Sequence, residues 1–350
     1  MIFGGVSSEH FVSCVSASYV INNIPKEKYN VYSIGITLNG EWYLYEGATE
    51  LLPDDKWLES GNITKAVLSP DRKDGGVLVF RDGKTEKIKI DVIFPVLHGK
   101  NGEDGTMQGL LEICGIPYVG CDHLSSACCM DKAVTNTLAD SGNIRQAKWL
   151  CVLQEEYING KEEFLQKAEE YLSYPIFVKP ANAGSSIGIS KAKDRSSLEE
   201  AMKIAFKEDK KAVLEQFIDG YEVECAVLGN SEPIAMAVGQ IKPANEFYDY
   251  EAKYENDSSE LYIPAHIPPE KQEEVREYAI KAYKLLGCSG ISRVDFFVTK
   301  SDLEVVFNEI NTIPGFTPIS MYAKMCEKSG IPYSELIDRL FVLAMERKSK

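Results

Sequence analysis

Runs of apolar residues alternate along the chain with stretches of mixed periodicity, and together they predict strands interleaved with helices. Residues 12–24 form an apolar-rich stretch entered through Gly4-Gly5 and Ser7-Ser8-Glu9. This predicts a tight strand-to-helix turn whose Gly amides face a ligand, after a first strand cut short to Met1-Ile2-Phe3. Residues 29–45 alternate around Asn39-Gly40, a two-residue hairpin signal. The unbroken apolar run 92–97 predicts a buried strand ending at His98-Gly99, with a short helix over 107–114. Further on, 131–139 reads as a helix and 174–180 as a strand closed by Pro180. The small-residue loop 184–188 leads into another strand, and Ser196 with Glu199 carries a capping-box signature. Strands follow over 213–217 and 222–227, a helix follows Pro268-Pro269, and 292–298 pairs with 304–310 through Lys300-Ser301-Asp302. The polar-aromatic segment 242–262 is a long loop for a compact domain, a length that usually serves function.

At 350 residues the chain has room for two or three domains, with no repeat of fixed period. The pattern divides it into an N-terminal α/β domain, 1–120, a central block, 121–212, and a C-terminal block, 213–350. Loops at strand ends are where such folds hold ligands. Fifty-three acidic against 38 basic residues leave a formal charge of −15, which disfavours wrapping a nucleic-acid backbone or lying on an anionic membrane. A small anion such as ATP is not excluded, because a few placed cations and a metal ion invert the field locally. No apolar run reaches the roughly 18 residues of a membrane span, and no signal peptide is visible, so the expected location is the cytoplasm. The nine cysteines are odd in number and form no CxxC pair, which fits reduced core residues better than a disulfide framework or a zinc site.

The most informative chemistry lies in Arg293-Val294-Asp295 and Asn308-Glu309-Ile310-Asn311. On extended strands Arg293 and Asp295 share one face, as do Glu309 and Asn311. Two carboxylates and an amide oxygen suit Mg²⁺, and Arg293 supplies a cation for developing negative charge. The plainer alternative is a half-exposed polar sheet face with one ion pair. Lys132 and Lys179 sit at element ends beside small residues that admit phosphates. The 184–188 loop is either a backbone nest over a triphosphate or an ordinary turn. Residues Glu215-Gln216-Phe217-Ile218 and Glu222 offer a strand edge and an acid for adenine and ribose, or are simply strand. P-loop, GxGxxG and HExxH motifs are absent from the sequence.

Seven segments, in order, resemble the D-alanine–D-alanine ligase family of ATP-grasp enzymes. They are Gly4-Gly5-Val6-Ser7-Ser8-Glu9-His10, the run from His98 through Gly105, Met130-Asp131-Lys132, Val178-Lys179-Pro180 with Gly184-Ser185-Ser186, the run from Glu246 through Tyr254, Arg293-Val294-Asp295, and Asn308 through Gly315. The resemblance spans nearly the whole chain. It implies an ATP-grasp fold, in which an N-terminal α/β domain precedes two ATP-grasp subdomains. It also implies ATP-dependent joining of two D-alanines through an acyl phosphate, for peptidoglycan precursors, with Mg²⁺ as cofactor (two ions, Mn²⁺ as a substitute) and a homodimeric assembly.

Carried over by position, Asp295, Glu309 and Asn311 match the metal ligands. Lys132, Lys179 and Ser186 match phosphate contacts, and Glu215, Phe217, Ile218 and Glu222 match the adenine–ribose pocket. Lys253 matches a γ-phosphate contact within the closing loop 242–262. Glu9, Ser185 and Tyr254 match a triad that locks this loop and orients the first D-alanine, whose pocket His98 and Glu103 line. Arg293 and Gly315 match the stabilisers of the tetrahedral intermediate, and Ser320 the residue holding the second substrate's carboxylate. Tyr248 and Met321 bear on the second substrate. The family's lactate-making members replace the Tyr–Lys pattern of the loop with His, and D-serine ligases place Arg where this chain has Met321, so D-alanine is favoured. The alternative is a D-alanine–D-serine ligase of the vancomycin-resistance type, which 96–105 and 286–295 also resemble.

The chain departs from the family in its short first strand, in Phe11 where an acid is usual, in Ala323 where Pro is common, and in Gln216 where some members have Lys. A non-catalytic ATP-binding regulator would lose the Arg or a metal ligand. A two-lobed binding protein would need no triphosphate site, and another ATP-grasp ligase would lack the run 248–254.

Overall fold

The computed structural model describes residues 1–242 and 260–348. The first sheet runs in chain order through β1 (Ile2–Gly4), β2 (Ser33–Ile36), β3 (Trp42–Tyr45), β4 (Ile63–Leu68), β5 (Gly76–Arg81) and β6 (Lys84–Lys89). β1 and β2 are parallel, joined by the helix His10–Asn23, and β2 turns into antiparallel β3 through the Asn39-Gly40 hairpin. The second sheet has the order β7 (Trp149–Leu153), β10 (Lys211–Gln216), β8 (Ile176–Pro180), β9 (Ser190–Ala192). The third has the order β13 (Glu260–Tyr262), β12 (Ile234–Lys242), β11 (Gly220–Gly229), β14 (Gly290–Thr299), β15 (Val305–Asn311), all antiparallel.

The third sheet is covered on both faces, and this fixes where its polar residues go. Val223, Cys225, Val227, Val294, Phe296 and Val298 pack against Val275, Ala279 and Tyr283 of the helix Pro269–Leu285. On the opposite face Ala226, Leu228 and Ile291 pack with Met321, Tyr322 and Met325 of the helix Met321–Lys328. Along that second face the strands change character. Leu228 and Ile291 give way to Ala226 opposite Arg293, then to Glu224 opposite Asp295. Alternation thus delivers charged side chains to one end of a face whose other end is core.

Three expectations need correction, and one element had gone unread. Residues 92–97 are buried but form no strand, only single bridges of Ile93 to Tyr118 and Ile2 to Pro95. Pro95 has no N–H to extend the ladder. The Gly-pair amides do not face a ligand, since Gly4 N–H donates to Ser13 Oγ at 2.8 Å and Gly5 N–H to the Ile36 carbonyl at 2.8 Å. Gly4 itself has φ +83°, and a Cβ there would collide with the Ile36 carbonyl oxygen. The helix Arg195–Glu208 is capped by Asp194, whose carboxylate accepts from Ser197 N–H, so the box is Asp194–Ser197 and not Ser196–Glu199. The hairpin β4–β5–β6 carries no clear alternation because β6 is exposed almost throughout. All nine cysteines are free thiols. Among the described residues no helix is long and apolar enough to cross a membrane.

Candidate active site

Two cavities adjoin, sharing Ser186, Ile189, Ile241 and Glu309 in their walls. The first, about 390 Å³, gathers Glu9, His98, Glu103, Lys132, Ser185, Arg293, Asn311, Gly315, Ser320 and Met321. The second, about 640 Å³, is lined by Lys179, Glu215, Phe217, Ile218 and Glu222. Apart from Asp295, which is buried behind Arg293 and lines neither cavity, the described residues singled out across some 300 positions of sequence therefore converge on one compound site. Tyr248, Lys253 and Tyr254 lie outside the described residues, as does most of the segment 242–262.

Arg293 and Asp295 are two apart on β14, and their fork is closed, with Nε 2.8 Å from Oδ1 and an Nη 2.7 Å from Oδ2. Glu224, on β11, lies 3.1 Å from the same Nε. Burial works against a charged guanidinium, but Asp295 and Glu224 outweigh it and hold the proton well above the usual arginine range. Asn311 donates from Nδ2 to Asp295 Oδ2 at 3.0 Å, and Glu309 pairs in register with Asp295 across the strands. The ladder slips between Asp295 and Phe296, leaving an extra residue on β15 at Asn308. That bulge lets Asn308 and Glu309, adjacent in sequence, both line the second cavity.

The lysines are placed by their carboxylate partners. Lys179 Nζ lies 2.6 Å from Glu215 Oε2 and donates to Asn308 Oδ1 at 3.3 Å. Burial alone would ease its proton off, yet Glu215 and Glu309 raise its pKa above the ordinary value. Asn136 Nδ2 holds the other Glu215 oxygen at 3.2 Å. Lys132 opens the helix Lys132–Ser141, donating to the Ala183 carbonyl at 3.0 Å and standing 3.5 Å from Glu309 Oε2. Above them Ser185 and Ser186 both have positive φ, 46° and 59°, so the loop curls and lines the cavity. Ser185 Oγ donates to Glu9 Oε1, which ties the second sheet's loop to the first helix.

At the far wall His98 Nδ1–H donates to the Ile313 carbonyl at 3.2 Å, and Ser16 Oγ lies 3.1 Å from Nε2. Burial pushes His98 down to about 4, so the ring is neutral at pH 7. Glu103 accepts from Gly99 N–H at 2.7 Å; burial, then the nearby Glu9, pushes it up to about 8. In the second cavity Phe177 and Phe217 stack with centroids 6.1 Å apart, and Lys191 Nζ sits 4.2 Å over the Phe217 ring. Such a slot accepts a flat heteroaromatic base. Ser320 Oγ accepts from Thr317 N–H at 3.0 Å and caps no helix amide. Phe11 is exposed and lines neither cavity.

Three residues at the site had gone unmarked, and a fourth, Asn308, had been quoted within its motif without a role. Glu224 follows Glu222 by two on β11, so strand alternation alone places both on one face. Asn136 and Thr317 carry no local signal. Asn308 reaches the cavity only through the bulge. The carboxylates of Asp295 and Glu309 already draw Arg293 and Lys132, and with the Asn311 amide oxygen they make a hard-donor set that fits a divalent ion.

The family model described as D-ala D-ala ligase N-terminus matches residues 1–121, and that described as D-ala D-ala ligase C-terminus matches 138–342. The D-alanine--D-alanine ligase of Caldicellulosiruptor bescii is 54% identical, with 99% of this chain and 94% of the relative covered. That of Acetivibrio thermocellus is 49% identical, with 99% and 95% covered. Among solved structures, the VanG D-Ala:D-Ser ligase from Enterococcus faecalis superposes with a TM-score of 0.89 at 44% identity, covering 98% of each chain. The D-alanine-D-alanine ligase from Coxiella burnetii gives 0.87 at 34% identity, covering 99% of this chain and 93% of its own.

Proposed function

Since the chain belongs to the D-alanine–D-alanine ligase family, we propose that it joins two D-alanine molecules, at the expense of ATP, for peptidoglycan precursors. The observation that carries the reading is the convergence of Arg293, Lys132, Glu309, Asn311 and Ser320 on one cavity that opens onto the Phe177–Phe217 slot.

A carboxylate is a poor acyl donor. The carboxylate of the first D-alanine therefore attacks the γ-phosphorus of ATP, giving an acyl phosphate and ADP. The amine of the second D-alanine attacks the acyl carbon, and inorganic phosphate leaves. Catalysis of this kind is mostly positioning and charge stabilisation. Adenine lies in the second cavity beside Phe217 and Ile218, with Glu215 and Glu222 toward the base and ribose. Lys132, Lys179 and Ser186 take the phosphates. Asp295, Glu309 and Asn311 would hold Mg²⁺, which supplies positive charge to the β- and γ-phosphoryl oxygens when bound. Glu9, Ser185, His98 and Glu103 orient the first D-alanine. Arg293 and the Gly315 backbone face the oxyanion of the tetrahedral intermediate, which forms beside a guanidinium already held rigid by Asp295 and Glu224. The same reading divides the chain at 1–120, 121–212 and 213–350, and makes the protein a cytoplasmic homodimer.

For the second substrate, Met321 is the deciding neighbour. It stands next to Ser320, is buried, and offers a methyl side chain dispersion contacts but a hydroxyl no partner. The likeness to the VanG D-Ala:D-Ser ligase keeps D-serine as the second reading. Comparing kcat/KM for D-alanine and D-serine as acceptors decides between them: D-alanine is expected to be preferred, and a clear preference for D-serine would replace this assignment.

A further inference from the structure

Three cations line the first cavity: Lys132, Arg293 and Lys324. Two are committed. Arg293 is held by Asp295 and Glu224, and Lys132 stands against Glu309. Lys324 has no hydrogen-bond or ion-pair partner among the described residues, although it is half-buried in the cavity wall. Its position is also electrostatically costly. It is the fourth residue of the helix Met321–Lys328, at the positive end of the helix dipole, where a cation is disfavoured. It lies four positions after Ser320, about one helical turn on, and both residues line the same cavity. Thr317, which engages the Ser320 hydroxyl at 2.8 Å, completes the rim.

An unpaired ammonium, a hydroxyl and a helix N-terminus facing one cavity together suit a carboxylate. We propose that Lys324 binds the α-carboxylate of the acceptor amino acid, beside Ser320, and so selects acceptors that carry a free carboxylate. The proposal rests on the ligase reading and adds a residue to it. Once the ion pair forms, the acceptor is anchored at its acidic end. Its amine is then turned toward the acyl carbon near Arg293, and no other wall cation has to leave its partner.

The test uses the full chain and two acceptors, D-alanine and D-alaninamide, which lacks the carboxylate charge. Lys324→Met is expected to raise the acceptor KM for D-alanine roughly tenfold or more, the scale of a lost charge-assisted hydrogen bond. KM for ATP and for the first D-alanine should stay unchanged, and so should the rate with D-alaninamide. Lys324→Arg, which keeps the charge, should recover most of the D-alanine affinity. Wild-type turnover with D-alanine, read in the same assay, carries the ligase reading separately. With that turnover present, the assignment of Lys324 is overturned by an unchanged acceptor KM in Lys324→Met, by an equal loss with D-alaninamide, or by a loss spread over ATP and the first D-alanine.

Discussion

At the scale of single residues, the site works by fixing charge before substrate arrives. Arg293 is clamped by Asp295 and Glu224, so its guanidinium needs no reorganisation when an oxyanion forms beside it. Arg293→Ala should therefore lower kcat by about 10²–10³ while changing KM for ATP little, as steady-state kinetics on the purified variant would read. A matching loss of nucleotide affinity would make Arg293 a ground-state ligand instead. The same substitution strands two buried carboxylates, and a loss of roughly 3 kcal/mol in denaturant titration is expected. Glu103 makes a different kind of prediction. Its pKa is pushed from 4.5 up to about 8 by burial and by Glu9, so the native state keeps a proton that the unfolded chain gives up. Its stabilising contribution is thus full below about pH 4.5 and is lost as pH rises toward 8. Glu103→Gln should flatten the decline of stability across that window, measured by urea titration at several pH values; an unaltered slope would show that Glu103 is ionised in the native state.

At the scale of elements, the strand pair β14–β15 and the turn after β1 show what periodicity conveys and what it leaves out. Period-two alternation placed Arg293 with Asp295 and Glu309 with Asn311, and the register joins the two sets. It could not show the bulge that brings Asn308 to Lys179, because a slipped register depends on how the partner strand closes, not on residue type. Asn308→Ala should raise KM for ATP several-fold, through a looser Lys179, with kcat less affected. The Gly4-Gly5 turn was legible as a turn, yet its purpose was not. Its amides serve Ser13 and the Ile36 carbonyl, locking β1 against the helix His10–Asn23 so that Glu9 projects into the cavity. Gly4→Ala combines a positive φ with a backbone collision and should cost at least about 2 kcal/mol in chemical denaturation. A variant as stable as the wild type would mean the turn relaxes freely.

At the scale of the whole molecule, three sheets that are separate in sequence each contribute a wall to one reaction space. Glu9 and His98 come from segments packed beside the first, Ser185 and Lys179 from a loop and a strand of the second, Arg293 and Glu309 from strands of the third. That convergence was legible because the functional residues sit in short motifs at element ends, where local sequence and local geometry agree. The strands β4–β5–β6, of which only β6 is largely exposed, were passed over and the 92–97 stretch was misread as a strand, since their conformations follow from which neighbours they meet, beyond the reach of a periodic pattern. Acidic though the chain is, Lys132, Lys179, Arg293 and Lys324 are gathered into one compound pocket, the first three held there by Glu309, Glu215, Glu224 and Asp295. The central claim is that this pocket turns ATP and D-alanine into a dipeptide. Phosphate release from ATP, followed together with the dipeptide by mass spectrometry, tests it most directly. Release is expected to require D-alanine, to be unsupported by L-alanine, and to yield one phosphate per D-alanyl-D-alanine formed; release that ignores the amino acid, or that L-alanine supports equally, would rule the ligase assignment out.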